Sequence, residues 1–426
     1  MLDRTITPQF KAIDHINLIT PGYAQLDNGC NMYWFNSGEQ ELVRIEWIFA
    51  NVRFNPAKPL LNVAVNTMLT EGTKTMSAAQ IADAVDYYGA FFQIDYGYDQ
   101  SQVSLYCLNK HLASTLPVIK DILTNSIFPE KELQTFIRNQ QQKLQVSLQK
   151  NDFVARRAFN NAMFGNTMYG LSPDALDYAQ LDRNDMLAHF KQMYQPNNCT
   201  LIVAGKVDDD TLKTITHLFD KDWANSDTPA DTSQPAIHSK GDLFTYIEKP
   251  DALQSAIRMG TPTINRAHPD FPALQIVNTI LGGYFSSRLM NNIREDKGYT
   301  YGIGSATSSM KHSGSIFIAT EVGADVTNAT MTEIEKEINI LKTELISDEE
   351  LSLVKNYMLG SLLGSLENVF SHADKFKNVY FSGLDFEYYD RYTEIIRSIT
   401  PQQILILANQ YFDFDKFCKV IVGKMN

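Results

Sequence analysis

Apolar residues follow two rhythms along this chain, a period of two and a period near 3.6. Residues 24–35 and 42–54 alternate apolar and polar positions around Asn28-Gly29 and Ser37-Gly38-Glu39-Gln40. An extended chain turns successive side chains to opposite faces, so these segments read as antiparallel strands with one wet face. Residues 59–69 are mostly apolar and stop before Glu71-Gly72, which predicts a buried helix. Ser77-Ala-Ala-Gln80 is a capping box whose side chains satisfy two orphan backbone N–H groups, and it opens a helix that stops at Gly89. Residues 90–96 and 102–108 form a second hairpin. Leu112, Leu116, Ile119 and Ile122 sit at helical spacing, Pro129 starts a long helix reaching about Gln149, and 154–163 adds another. Residues 198–205 form a short apolar strand.

The stretch 220–242 is polar, carries two prolines and has no period, which marks a linker. It divides the chain into residues 1–222, a linker at 223–241, and residues 242–426. Landmarks of the first part recur in order in the second. Asn66-Thr67-Met68-Leu69 is echoed by Asn278-Thr279-Ile280-Leu281, Glu132-Leu133 by Glu350-Leu351, and the strand opened by Cys199 by the one opened by Cys418. The pattern predicts an α+β fold of two homologous lobes, each a mainly antiparallel sheet with helices packed on one face.

Composition narrows the function classes. With 44% hydrophobic and 20% charged residues the chain reads as a globular protein. Its formal net charge of −12 and the lack of Lys/Arg blocks exclude nucleic acid and an anionic membrane surface as partners. No apolar run is long enough for a membrane span, and the start has no secretory pattern. Cys107, Cys199 and Cys418 lie in strand-like apolar runs and, with Cys30 far from all of them, read as buried free thiols, so a cytoplasmic location is expected. The eight histidines never come within five residues of one another, so no short histidine motif can hold a metal.

The strongest chemical signal is 281–305, LGGYFSSRLMNNIREDKGYTYGIGS. It reads as the end of one helix, a tight Gly282-Gly283 turn, a short helix over 286–295 with Ser286 and Ser287 as its N-cap pair, and a strand over 299–304. Arg288 reads as a structural ion-pair former. A turn at Lys297-Gly298 folds the strand back so that Arg294 and Tyr301 face one cavity. By spacing alone, Arg294 also reads as a cation suited to a helix C-terminus and Tyr301 as a half-buried strand aromatic.

This motif, LNVAVNTMLTEGT with the helix and Gly-Ala that follow it, and the strand entry Tyr194-x-Pro-Asn-Asn-Cys together resemble the pitrilysin/insulinase family of zinc peptidases, in its short processing-peptidase-like form. The resemblance implies two related lobes forming half of a clamshell around a chamber. It also implies a zinc helix, H-x-x-E-H with a distal Glu: two imidazoles and a carboxylate bind the metal, and the motif's own Glu is the general base. Here the two His positions hold Val63 and Thr67, the base position holds Asn66, and the distal Glu position holds Leu144. Segments 91–96 and 167–170 depart from the family pattern as well. Arg294 and Tyr301, by contrast, match the pair that the family's C-terminal lobe contributes to a catalytic centre across the chamber. What the resemblance implies is therefore a zinc-less subunit of a heterodimeric peptidase. It holds no metal itself, its homologous partner carries H-x-x-E-H and the zinc, and its substrates are peptides. The alternative is an inert structural or peptide-binding protein of the same fold, like respiratory-complex core subunits.

Overall fold

β6, Cys199–Gly205, is buried at every position, and such a strand belongs in the middle of a sheet covered on both faces. In the computed structural model, which describes residues 16–235, 237 and 243–425, it lies there. The first sheet also contains β1 (Gly22–Gln25), β2 (Asn31–Asn36), β3 (Leu42–Ala50), β4 (Phe91–Tyr96) and β5 (Gln100–Leu108), in the order β1-β2-β6-β3-β5-β4. The turn expected at Ser37-Gly38 therefore does not close a β2/β3 hairpin. β6 enters between them, parallel to β2 and antiparallel to β3. The Asn28-Gly29 turn does join β1 to β2, with Gly29 at φ +91.

The second sheet contains β7 (Phe244–Glu248), β8 (Gln254–Thr263), β9 (Thr300–Ser309), β10 (Gly314–Gly323) and β11 (Cys418–Gly423), in the order β7-β11-β8-β10-β9. Leaving β1 aside, the sheets match strand for strand, each with one parallel pair (β2/β6 and β7/β11) among antiparallel ones. The helix Leu61–Thr67 precedes edge strand β4, as Phe271–Asn278 precedes edge strand β9. The fold is the expected two-lobed α+β arrangement.

Each lobe has its own core under the helices on one face. The opposite faces are covered reciprocally. Helix Asn151–Phe164, from the first half, lays Phe159 and Met163 on Val420 and Val422 of β11. Helix Val369–Tyr380, from the second half, sets Phe376 against Tyr33 and Phe35 of β2, with ring centroids 4.7 and 5.6 Å apart. The described part of the linker is held to the first lobe. Trp223 is buried, the Asn28 side-chain amide donates to the carbonyls of Phe219, Asp220 and Trp223, and Arg53 N donates to Asp231 O at 2.7 Å. Residues 1–15, and 236 and 238–242 at the end of the linker, lie outside the described residues. All four cysteines are buried.

Helix Arg183–Met193 packs on Leu61–Thr67 through a buried polar contact, His189 Nε2 to Asn62 Oδ1 at 2.8 Å. The Asn62 amide also donates to Val52 O, which orients its oxygen as acceptor and puts the imidazole proton on Nε2. Burial lowers the His189 pKa to about 4, against about 6.5 when unfolded. Between those values the unfolded chain binds a proton that the native chain refuses, so stability falls as pH drops below about 6.5. We expect His189 to account for a loss on the order of 2 kcal/mol between pH 7 and pH 5. Urea titrations at the two pH values should show that much less pH dependence in His189→Gln, which keeps a donor toward Asn62.

Candidate functional site

Helix Phe271–Asn278 does not end at the glycines but widens into π-helical turns over Thr279–Gly283. The chain turns at 284–287 and winds again as a π-helix over Met290–Asp296. Such wide turns are uncommon and often mark functional segments. A Cβ on Gly282 would lie 2.7 Å from Ser305 N, so glycine is what lets this helix end touch β9. Asn278 adds the staple: its Nδ2 donates to Ser305 O, and Ser305 Oγ donates back to Asn278 O, both at 3.2 Å. Arg288 forms the expected ion pair, a two-pronged contact with Glu350 at 2.9 Å on each arm. The serines do not cap as expected. The Ser287 carbonyl, not its hydroxyl, receives the first helical N–H from Asn291, and Ser287 Oγ is buried with no hydrogen-bond partner among the described residues.

The second π-helix ends at Gly298, whose φ of +65 is a left-handed conformation that glycine adopts freely. Gly298 N donates to Arg294 O and Tyr299 N to Ile293 O, which turns the chain back into β9 beside the helix it has just left. Arg294 and Tyr301 thereby meet. The Arg294 guanidinium carbon lies 5.7 Å from the Tyr301 ring centroid and 4.8 Å from that of Phe285, so the cation is within cation–π reach of both rings. Its Nη1 lies 3.0 Å from Glu295 Oε1 without hydrogen-bond geometry, so this donor is buried beside the Glu295 carboxylate without a hydrogen bond among the described residues.

The pair does not face an enclosed cavity. Tyr301 is 91% exposed and Phe285 67% exposed, on the open edge of the second sheet. Exposure at that level also removes the reading of Tyr301 as a half-buried strand aromatic. Phe285 is the member that sequence reasoning missed. Its one visible signal is a large apolar residue in the turn after Gly282-Gly283.

The first lobe holds the other four positions. Val63 is half-buried, and its carbonyl accepts the Thr67 hydroxyl at 2.7 Å, within the helix. Asn66 is fully buried; its Nδ2 donates to Tyr194 OH at 3.2 Å and its Oδ1 has no hydrogen-bond partner among the described residues. Leu144 is buried in helix Glu130–Ser147. These residues do not fit a zinc ion. Two side chains are hydrocarbon, the hydroxyl is spent on its own helix, and the amide is engaged in the core. Among the described residues, no group of three or more His, Cys, Asp or Glu side chains is placed to hold a metal.

The chain can be set beside known proteins on this geometry. Residues 64–173 match the family model described as Insulinase (Peptidase family M16), and residues 180–358 match the model described as Peptidase M16 inactive domain. A Bacillus subtilis (strain 168) protein named Uncharacterized zinc protease YmxG is 27% identical over 321 residues, covering 72% of this chain and 75% of its own. An Uncharacterized zinc protease of Rickettsia felis is 26% identical over 402 residues, covering 91% and 94%. Among solved structures, a peptidase M16 inactive domain from Pseudomonas fluorescens superimposes with a TM-score of 0.85 at 20% identity, over 95% of this chain and 98% of that one. A chain of Complex III2 from Candida albicans does so with 0.75 at 14% identity, over 94% and 95%. At those identities the structures speak to fold alone. The two family matches run through both lobes, and this chain belongs to the insulinase family of peptidases, M16.

Proposed function

We propose that this chain is the non-zinc-binding subunit of a heterodimeric peptidase of its family. A homologous partner carrying H-x-x-E-H supplies the metal site. This chain supplies Arg294, Tyr301 and half the wall of a chamber that admits peptides. One observation carries the reading: Arg294 packs beside the exposed Phe285 and Tyr301 rings, while among the described residues no group of three or more His, Cys, Asp or Glu side chains is placed to hold a metal.

The chemistry follows from the groups. Hydrolysis of a peptide bond builds negative charge on the former carbonyl oxygen. A phenol O–H donates to that oxygen, and a guanidinium fork holds neighbouring substrate carbonyls and offsets the developing charge. In this chain the Tyr301 phenol is exposed and the partly buried Arg294 guanidinium lies beside its ring, where a second chain can complete the centre. The test is reconstitution. The isolated chain should not cleave a quenched fluorogenic peptide, and mixing it with an H-x-x-E-H chain of the family should produce cleavage that neither gives alone.

The likeness to a chain of Complex III2 favours a second reading, an inert structural subunit of the same fold. The mixing experiment separates the two: a stable complex that cleaves nothing supports the structural reading.

A further inference from the structure

In the second lobe a cavity of about 390 Å³ opens between β9 and the helices Asp348–Gly364, Val369–Tyr380 and Glu387–Ser398. Asn278 and Thr279, the counterparts of Asn66 and Thr67 in the internal repeat, stand in its wall. Its volume is of the size that takes small molecules.

Among the described residues, two cations line this cavity, Arg266 and Lys375, and no carboxylate does. Burial, and after it the nearby Arg266 charge, lowers the pKa of the Lys375 ammonium, so the two like charges feel each other. The adjacent Asp374 carboxylate acts on Lys375 in the opposite sense but more weakly than Arg266 does. Asp374 is already bonded to Arg44 and to Lys377, each at 2.9 Å. Arg266 Nη1 donates to the Asn378 carbonyl at 2.5 Å, a neutral partner. Two half-buried like charges only weakly offset by Asp374 raise the free energy of the empty site, and an anion bound between them removes that cost.

The rest of the wall describes the remainder of the ligand. The Tyr388 and Tyr392 rings stack with centroids 6.1 Å apart, and Met358 and Leu362 continue the apolar surface. Burial raises the Tyr388 and Tyr392 phenols, which stay protonated and neutral. A bare inorganic anion gains nothing from such a wall, whereas an acid attached to a hydrocarbon body does.

We infer that this cavity binds an organic carboxylate, its charge held by Arg266 and Lys375 and its apolar part laid against Tyr388, Tyr392, Met358 and Leu362. A planar carboxylate suits the guanidinium fork, and the second cation neutralises what remains. The carboxylate can come from the free C-terminus of a peptide or from a small free acid.

Calorimetric titration of the full chain alone tests this with four probes: the tripeptide acetyl-Ala-Ala-Phe, its C-terminal amide, 3-phenylpropionate and inorganic phosphate. The free-acid tripeptide should bind, and the amide about tenfold or more weaker. If 3-phenylpropionate binds as well as the tripeptide, the source is a small acid; if it binds far more weakly, the source is a peptide C-terminus. Lys375→Gln and Arg266→Gln should each weaken binding about tenfold or more. Without ligand, Lys375→Gln should unfold no earlier than the parent, since it removes a like-charge contact, so its loss of binding is not a loss of fold. Equal binding of acid and amide, equal binding of phosphate, or unchanged binding by both variants would overturn the inference. Arg294→Gln should bind the probes as the parent does. No partner chain or cleavage enters these measurements, so their failure would leave the subunit reading untouched.

Discussion

Tyr301→Phe, assayed in a mixture with a zinc-bearing partner chain, should lower kcat roughly 10²- to 10³-fold while KM stays within about twofold. The change removes one oxygen and keeps the ring. The Arg294 guanidinium, 5.7 Å from the ring centroid, keeps its aromatic neighbour, so the loss isolates the donor. A donor that meets the carbonyl oxygen mainly as charge develops acts on the barrier, where one such group is worth about 2.7–4 kcal/mol, and little on ground-state binding. Because Tyr301 is 91% exposed, the substitution should leave the unfolding midpoint unchanged, and lost activity is then not lost fold. Steady-state kinetics with one fluorogenic peptide settles the role. An unchanged kcat would reduce Tyr301 to a surface aromatic, and a raised KM with unchanged kcat would make it a binding contact only. Arg294→Lys is the companion measurement. It keeps the charge but loses the planar fork, so an intermediate defect is expected if two substrate oxygens are held at once.

Local pattern was enough to find most elements and to see that the chain repeats. The capping box at Ser77 and Gln80 forms as read, with Gln80 N bonded to Ser77 Oγ and Ser77 N to Gln80 Oε1. Asn66 and Asn278, paired by a four-residue echo, occupy matching places at the ends of matching helices, each buried with an Oδ1 that has no hydrogen-bond partner among the described residues. What stayed illegible depends on contacts between residues far apart in the chain. The alternation in 42–54 implies one dry face and one wet face for β3, with Arg44 and Glu46 on the wet one. In the structure that face is dry too, because helix Val369–Tyr380 lies across it, some 330 residues away. The entry of β6 between β2 and β3 is hidden for the same reason: strand order is settled by burial across the whole sheet, and each hairpin signal sees only its own turn. Phe285 was missed because a lone aromatic in a turn means little until the chain folds back and brings Arg294 over it.

Arg44→Met should destabilise the protein by roughly 3–5 kcal/mol in urea unfolding, a large share of the stability of an ordinary domain. Arg44 and Glu46 are almost fully buried on β3 and meet Asp374 and Lys377 on the helix lent by the second half. Arg44 Nη2 contacts Glu46 Oε2 at 3.1 Å and Asp374 Oδ1 at 2.9 Å, and Lys377 Nζ contacts the same two carboxylates at 2.6 and 2.9 Å. Two cations and two anions balance. Methionine fills much of the guanidinium's volume but leaves two carboxylates around one ammonium, with Glu46 cut off from water. Acid dependence should change in step. Burial raises the Asp374 carboxyl, but the charges of Arg44 and Lys377 outweigh that and hold it below the usual carboxylate range. It therefore stabilises the fold above its unfolded pKa of about 4, and that stabilisation is lost as pH falls through the lower folded value. Without Arg44 the folded value rises toward the unfolded one, so the variant should lose less further stability on acidification than the parent does. The double substitution Arg44→Met, Glu46→Leu should recover part of the stability, because it removes one charge of each sign and leaves Asp374 paired with Lys377. Recovery identifies uncompensated charge as the cause. A double variant as unstable as the sum of the singles would instead mean that shape at the junction of the two halves, and not charge balance, holds the borrowed helix on its sheet.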